Sequence, residues 1–490
     1  MPLPPRAPNP IQPITAPAAL VGTAIRLPAL GPATEHARRL LGDCGLESVD
    51  SAAGTPLSPA LEWAGSGAMA LTGPRDAAPR FAPGAPASAA RGAGLALAAL
   101  APGTSLAELD APALLGERAA IFGLTREGTR SAGGAARLLA TRDGWIAVNL
   151  PRTEDWELVP AWLAGDEAPV EGDWARLGRA LGSRGTAEIV ARARLMGLAV
   201  AAAETPSETG ARRWMRVSHA SQIAPPPRAP SPSARVLDLS SLWAGPLAGS
   251  LLAMAGFEVR KVESPDRPDG ARRGPRAFFD LLNGGKRVSA LDLGEPRDRA
   301  LFETLLEQAD VVLESARPRA LEQLGYDAAN WVRGRPGRIW ASITGYGREA
   351  PRRDWIAFGD DAAVAAGLAW PLSPTASATE GHPPLPCFCA DAIADPLAGL
   401  HAAVAILGHW RAGRGGLLDL SLVDVSAGAA TLASEHAALP VERSPGGGWH
   451  VVTDEGPVAI AAPRARRPRQ SAPPLKRPSP QPGTLRSRRC

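Results

Sequence analysis

The chain has 490 residues, of which 45% are hydrophobic and 21% are charged. This length exceeds what one hydrophobic core usually serves, so we expect two or three domains in a soluble, globular protein. No stretch supplies the roughly 20 consecutive apolar residues of a membrane helix. The first residues lack the basic and apolar pattern of a secretory signal, so the sequence predicts a cytoplasmic protein without a membrane partner.

The formal net charge of +4 is unevenly distributed along the chain. Nine of the 53 basic residues and none of the 49 acidic ones lie in residues 463–490, so the residues before them carry a net charge of −5. This Pro-rich basic tail has no apolar periodicity and is predicted to be disordered, although a frameshift would leave the same pattern. Because the basic excess is confined to the tail, no nucleic-acid partner is expected.

The four cysteines do not suggest a disulfide framework. Cys387 and Cys389 are spaced C-x-C with no second Cys/His pair nearby. We therefore expect no metal site, and two small buried residues are the preferred interpretation.

The first half of the chain gives an irregular pattern. Residues 1–130 are rich in Ala, Gly and Pro and are predicted to form mixed helix and loop. Residues 137–149 predict a hairpin with Asp-Gly at its turn, and helical segments follow it. Together they indicate a small α+β domain at 131–222. The Pro/Ser-rich stretch at 223–234 is the predicted linker.

In residues 235–440, predicted strands alternate with helices. The strand segments are RVLDLS, FEVRKVE, RVSALDL, DVVLES and GRIWASITGYG. The alternation predicts an α/β fold, with a Rossmann-like parallel sheet in a large domain beside the smaller α+β domain. The turn at residues 244–249 reads AGPLAG rather than G-x-G-x-x-G, so an NAD or FAD site is disfavoured. Residues 441–462 are predicted to form a C-terminal strand segment.

The order of the motifs in residues 236–430 resembles the family III CoA-transferases of the CaiB/BaiF type. This group includes formyl-CoA transferase, carnitine CoA-transferase and α-methylacyl-CoA racemase. The resemblance is carried by VLDLSSLWAGPLAGSLLAMAGFEVRKVESP, FFDLLNGGKRVSALDL, ADVVLESARPRALEQLG, SITGYG and ADAIADPLAGLHAAVAILGHWRAGRGGLLDLSLVDV.

The resemblance implies a carboxylate nucleophile shortly after the Gly-Tyr-Gly strand end, where the chain reads WIAFGDDAAVAAGLAW. The family usually has its Asp eight residues before a glycine that would here be Gly367, and this count leads to Gly359. The candidates are therefore Asp361, preferred because it keeps a Gly-x-Asp pattern, and Asp360. One of the pair is expected to cap the following helix.

The implied reaction transfers CoA between an acyl-CoA thioester and a small carboxylic acid through an aspartyl mixed anhydride and an aspartyl-CoA thioester. CoA esters are substrates, and no tightly bound cofactor is expected. A first alternative is an acyl-CoA racemase, but those relatives have a histidine directly before the catalytic Asp, where this chain has Asp360. A second alternative is a catalytically eroded CoA-binding homologue.

The resemblance also implies residues that bind CoA. The basic residues are expected to bind the phosphates of CoA, and the AGP turn is expected to lie beside CoA. The matching acidic residue follows Ala390, which stands where the family has glycine. These positions are Lys286, Arg287, Arg317, Ala244, Gly245, Pro246 and Asp391. Arg272 and Arg273 are possible additions.

Residues 1–130 resemble a degenerate partial copy of the same large domain. Residues 60–103 are similar to the stretch after the nucleophile, but Pro59 stands eight residues before Gly67, and the nearest acid is Glu62. We expect this copy to have lost its nucleophile and to keep a packing role. Because family members form interlocked dimers, the resemblance implies either a homodimer or an internally fused pseudo-dimer.

Overall fold

The structure is a computed structural model that describes residues 25–28, 31–50, 57–164, 170–204, 213–223, 234–369, 385–433, 439–468, 470–472 and 474–475. Except for its two end residues, the predicted linker at 223–234 lies outside them.

The strands are β1 (Ile25–Leu27), β2 (Ser48–Asp50), β3 (Ala136–Ala140), β4 (Trp145–Asn149), β5 (Ala199–Ala202), β6 (Arg216–Gln222), β7 (Arg235–Asp238), β8 (Glu258–Glu263), β9 (Arg287–Ala290), β10 (Val311–Glu314), β11 (Ile339–Thr344), β12 (Arg414–Ser421), β13 (Val441–Arg443), β14 (Trp449–Thr453) and β15 (Gly456–Ala459).

The helices are α1 (Pro32–Asp43), α2 (Pro59–Ser66), α3 (Pro86–Leu100), α4 (Glu117–Phe122), α5 (Thr153–Glu157), α6 (Val159–Leu163), α7 (Trp174–Gly182), α8 (Thr186–Leu195), α9 (Ala244–Met254), α10 (Arg276–Asn283), α11 (Pro296–Gln308), α12 (Pro318–Gln323), α13 (Ala328–Gly334), α14 (Gly359–Ala365), α15 (Ala394–Arg411) and α16 (Leu422–Ala430).

The large sheet has seven strands in the order β6-β12-β11-β10-β7-β8-β9. All neighbours are parallel except β6, which runs antiparallel to β12. The six parallel strands follow the order of a doubly wound Rossmann sheet, so the predicted α/β fold is confirmed. Apolar runs such as Val311–Glu314 are buried throughout because helices cover both faces of the sheet.

Strand β6 corrects one predicted boundary. Residues 216–222 were expected in the small domain, yet they form an edge strand of the large sheet. All of their side chains are partly or fully exposed, which suits the polar sequence RVSHASQ at a sheet edge. The sheet of the small domain ends at β5.

The small domain forms around the predicted hairpin. β3, β4 and β5 make an antiparallel sheet, and the predicted helical segments become α5 to α8. Its own core contains Trp156, Trp162, Leu181 and Ile189. The hairpin and the helices that follow it are therefore confirmed.

The helices of the first 130 residues share a core with the second half. α3 packs against both α1 and α15, and α15 packs against α9. The end of α1 can approach α15 closely because position 408 is glycine: a Cβ there would lie 2.7 Å from the Cys44 sulfur. This region is part of the large domain rather than a separate unit. Although α15 has 18 residues, none of the helices in the described ranges has both the length and the apolar composition needed to cross a membrane.

The described part of the C-terminal tail lies on the fold. Arg466 donates to both carboxylate oxygens of buried Glu117, with Nε–Oε1 at 2.6 Å and Nη2–Oε2 at 3.1 Å. The backbone N–H of Ala472 donates to Oδ1 of Asp280 over 3.0 Å, and Ala472 is buried. The prediction of disorder from residue 463 is therefore wrong for the described part, since Arg464 and Arg466 pair with acids of the body.

Candidate active site

A cavity of about 530 Å³ opens at the carboxyl ends of the central strands. It is lined by Ser241–Ala244 after β7, Ser315–Pro318 after β10 and Ile343–Gly345 at the end of β11. β7 and β10 are neighbours in space but not in sequence, so this is the point where the strand order reverses. Doubly wound folds bind their ligands there.

The opposite wall of the cavity comes from the first half of the chain. α4 contributes Arg118 and Phe122, and the small domain contributes Asn149 and Arg152. The sequence predicted only a packing role for the residues before 131. No motif in ALLGERAAIFG indicated Arg118, because its position depends on packing across hundreds of residues.

Asp360 lines this cavity at the start of α14. Its side chain is only 7% exposed, and its Oδ1 accepts a hydrogen bond from the backbone N–H of Ala392 over 2.9 Å. Burial raises the pKa of Asp360 to about 6; neighbouring Asp391 acts in the same direction, and Arg118 opposes it. The carboxyl group is thus held in place and titrates near neutral pH.

Asp361 is fully buried and is not among the residues that line the cavity. Its Oδ1 accepts hydrogen bonds from the backbone N–H of Phe358 over 3.0 Å and from Nδ2 of Asn149 over 2.9 Å. Burial raises the pKa of Asp361 to about 7 despite these two donors. The expected capping role therefore falls to Asp361, whereas Asp360 faces the cavity.

Asp391 is fully buried and pairs with Arg118 of the first half. Arg118 donates from Nε to Oδ2 over 2.8 Å and from Nη2 to Oδ1 over 2.5 Å. Asp391 does not line the cavity, although Arg118 does. Ala390 adopts the left-handed conformation with φ 56°, and its N–H donates to Oγ1 of Thr72. This backbone explains why glycine suits position 390 in the family pattern.

A further carboxyl group, that of Asp395, lines the cavity and was not singled out in the sequence. It lies in the first turn of α15, and the nearby backbone N–H of Ala244 favours its ionised form. Burial raises the pKa of Asp395 to about 7, and Arg118 opposes this. The sequence feature that could have indicated Asp395 is its spacing of one helical turn after Asp391.

Lys286, predicted to bind a CoA phosphate, is not among the residues that line the cavity. It is buried, and its Nζ donates to Oδ2 of Asp238, the carbonyl of Pro246 and Oδ1 of Asn283 over 2.8, 2.8 and 3.0 Å. Burial lowers the pKa of Lys286 to about 8. All three N–H groups of Lys286 donate to protein partners, one of them the carbonyl of Pro246, so Lys286 supports the AGP turn.

The AGP turn itself is only partly at the cavity. Ala244 lines it, whereas Gly245 and Pro246 are buried and are not among the lining residues. A Cβ at Gly245 would overlap the side chain of Ser240, so glycine is needed for the turn to approach β7.

Of the other predicted basic residues, Arg317 lines the cavity and Arg287 does not. Arg152 and Arg353 also line it, although neither was predicted. Burial lowers the pKa of Arg317, and the nearby charges of Arg319 and Arg152 act in the same direction. Several guanidinium groups therefore meet at one part of the wall, where an anion would be stabilised.

The possible addition Arg272 is already paired. It donates from Nε and Nη2 to Glu263 over 2.9 and 2.8 Å and stacks 3.9 Å above the ring of Phe279. It is not among the residues that line the cavity.

Fold and cavity together define a doubly wound α/β protein with buried carboxyl groups and arginines at the switch point of its sheet. Residues 233–457 match the sequence model of CoA-transferase family III.

The comparisons with individual proteins cover less of the chain. The succinyl-CoA–D-citramalate CoA-transferase of Chloroflexus aurantiacus is 32% identical over 41% of this chain and 50% of its own length. The succinate–glutarate CoA-transferase of Agrobacterium fabrum is 31% identical over 43% and 55%. The crystal structure of a CaiB/BaiF family protein from Brucella suis is 25% identical over 46% and 66%, with a TM-score of 0.39. The chain thus spans about half the length of the curated relatives it matches.

Proposed function

We propose that this protein transfers CoA between an acyl-CoA thioester and a carboxylic acid, with Asp360 as the nucleophile. The observation that carries the proposal is a buried carboxyl group on the wall of a cavity that also contains several arginines. The names of the related CoA-transferases support the same reaction class.

The proposed steps balance without an added cofactor. The Asp360 carboxylate attacks the thioester carbonyl, the C–S bond breaks, and CoA leaves as a thiolate. The thiolate then attacks the aspartyl carbonyl of the mixed anhydride, which releases the first carboxylate and leaves an aspartyl-CoA thioester. The acceptor carboxylate reverses these steps and leaves with CoA. Each step is easier than direct exchange between two carboxylates.

The choice of Asp360 over Asp361 rests on access. A nucleophile must reach the substrate, and Asp360 lines the cavity while Asp361 is fully enclosed by its own helix cap and Asn149. The N–H of Ala392 fixes one oxygen of Asp360, which orients the carboxyl group for attack.

The arginines at the cavity support CoA as the ligand. CoA carries a diphosphate and a 3′-phosphate, and guanidinium groups bind phosphates through paired N–H donors. Arg317, Arg152 and Arg353 line the wall, and the partners of Arg152 and Arg353 are the acids Asp155 and Glu322. We propose that Arg317 is the main phosphate ligand, because no acidic partner of it is found among the described residues.

Trapping of the covalent intermediate tests the proposal. The protein is incubated with succinyl-CoA and other acyl-CoA thioesters in the presence of hydroxylamine, digested and analysed by mass spectrometry. We expect a hydroxamate on Asp360 in the wild type and in Asp361→Asn, and none in Asp360→Asn. A hydroxamate on Asp361, or none with any thioester, would contradict the assignment.

The alternative of an acyl-CoA racemase is supported by one observation, the presence of two carboxyl groups, Asp360 and Asp395, in the same cavity. Such a pair can remove and return an α-proton. Racemisation would incorporate deuterium from heavy water at the α-carbon of the thioester without forming a hydroxamate. Trapping incubations prepared in heavy water therefore distinguish the two reactions.

A further inference from the structure

The glycine before Asp360 lies against a carboxyl group from another helix. A Cβ built at Gly359 would overlap Oδ2 of Asp395 and the backbone carbonyl of Ala392. An oxygen of Asp395 thus occupies the space that a side chain at position 359 would take. Because Asp395 also lines the cavity, the reacting end of the cavity has two carboxyl groups, those of Asp360 and Asp395.

We propose that Asp395 is a second catalytic carboxyl group, which in its protonated form donates a hydrogen bond to the thioester carbonyl oxygen while Asp360 attacks the carbonyl carbon. This inference rests on the proposed function and adds a residue that the sequence did not indicate.

The groups that face Asp395 explain why it would hold the proton. They are Arg118 from α4, Asp360 from α14, Asp391 from the preceding turn and the backbone N–H of Ala244 from α9. Two nearby carboxyl groups in a desolvated cavity cannot both ionise easily, so one remains protonated. Burial raises the pKa of both Asp360 and Asp395, so near neutral pH the pair keeps a proton, and one carboxyl group can donate a hydrogen bond while the other attacks.

In the proposed role Asp395 donates a hydrogen bond but transfers no proton to the substrate. As the Asp360 oxygen forms its bond to the carbonyl carbon, the electron pair of the C=O bond moves to the carbonyl oxygen. That oxygen gains negative charge, and the O–H of Asp395 stabilises it. When this electron pair forms the C=O bond again, the C–S bond breaks and CoA leaves as a thiolate. Asp395 keeps its proton for the next step.

The pH dependence of turnover tests this role. Asp360 must be ionised and Asp395 protonated, so the rate of the wild type should fall below about pH 6 and again above about pH 7. Asp395→Asn keeps a neutral N–H donor and cannot titrate, so it should lose about tenfold or less in kcat/KM and should lose the alkaline decline. Asp395→Ala removes the donor and should lower kcat/KM about 100-fold to 1,000-fold.

A matched control is Asp354→Asn, because Asp354 is exposed and does not line the cavity. It should keep the wild-type profile, and circular dichroism should show that all three variants fold. An alkaline decline that persists in Asp395→Asn, or wild-type turnover in Asp395→Ala, would overturn the inference. The trapping experiment distinguishes this failure from failure of the proposed function. A hydroxamate on Asp360 would still support CoA transfer. A hydroxamate on Asp395 would make Asp395 the nucleophile and would overturn both assignments.

Discussion

Asn149 donates a hydrogen bond from Nδ2 to Oδ1 of Asp361 over 2.9 Å. The two residues are 212 positions apart, the first at the end of β4 and the second in the first turn of α14. The bond connects the small domain directly to the helix that begins next to the candidate nucleophile. The first half of the chain therefore helps to hold the candidate active site in place.

Asn149→Ala should destabilise the protein by about 1 to 3 kcal/mol, because it leaves a buried carboxyl group with one donor fewer. Chemical denaturation at neutral pH measures this change. Asn330→Ala is the matched control, since Asn330 is exposed on α13, and it should change the free energy of unfolding by at most about 0.5 kcal/mol. Equal stability of the two variants would show that the contact between Asn149 and Asp361 contributes nothing.

Arg317→Ala should raise KM for acyl-CoA more than it lowers kcat, because a phosphate contact is made equally in the ground state and the transition state. Steady-state kinetics with intact acyl-CoA and with a truncated pantetheine thioester measure the effect. The truncated substrate lacks the 3′-phosphate and diphosphate, so its KM should not respond.

The control for Arg317 is Arg319→Ala, two residues along the chain and outside the cavity lining. Arg319 is half exposed, and its Nη1 lies 3.9 Å from Asp354. If Arg319→Ala raises KM as much as Arg317→Ala, the effect is one of general positive charge and not of a phosphate contact.

Removal of the tail after Ala462 should destabilise the protein, contrary to what the prediction of a disordered tail implies. Truncation removes Arg466 from the fully buried Glu117, and a buried charge that loses its partner costs about 3 kcal/mol. Thermal denaturation should show a lower Tm for both the truncation and Arg466→Ala.

The neighbouring Arg467→Ala is the control for the tail, since Arg467 is exposed. Its Tm should equal that of the wild type. An unchanged Tm after truncation would mean that the contact between Arg466 and Glu117 does not contribute to stability.

Asp361 should make the stability of the protein fall as pH rises. Its pKa is about 7 in the folded protein, against a usual value of 3.8, so the folded state binds more protons between these values. The favourable contribution is complete below about pH 4 and is lost as pH rises to about 7.

Asp361→Asn removes this titration while its side-chain oxygen can still accept both hydrogen bonds. Relative to the wild type, the variant should become more stable by a few kcal/mol, on the order of the pKa difference, as pH rises from about 4 to about 7. Denaturation curves across this range measure the difference. A difference that does not vary with pH would show that Asp361 titrates at its usual pKa.

The sequence by itself determined the doubly wound sheet and the hairpin of the small domain. Both depend on local pattern: buried strands alternate with helices in residues 235–440, and Asp-Gly separates β3 from β4. The resemblance to the family also limited the candidate nucleophile to Asp360 or Asp361, because both lie shortly after the Gly-Tyr-Gly strand end. The sequence could not show which of the two side chains is enclosed, because neighbouring residues at the start of a helix point in different directions.

Only the tertiary structure decided which distant groups meet. Arg118 and Asn149 reach the cavity because helices of the first half share a core with α15 and α9, and no local pattern records such packing. A motif match predicted that Lys286 binds a phosphate of CoA, yet its three N–H groups donate to buried groups of the protein. The basic tail was predicted to be disordered because it lacks apolar periodicity, but buried Glu117 provides the compensating charge that orders Arg466. Local propensity fixes the elements, whereas burial and charge pairing between remote residues fix the site.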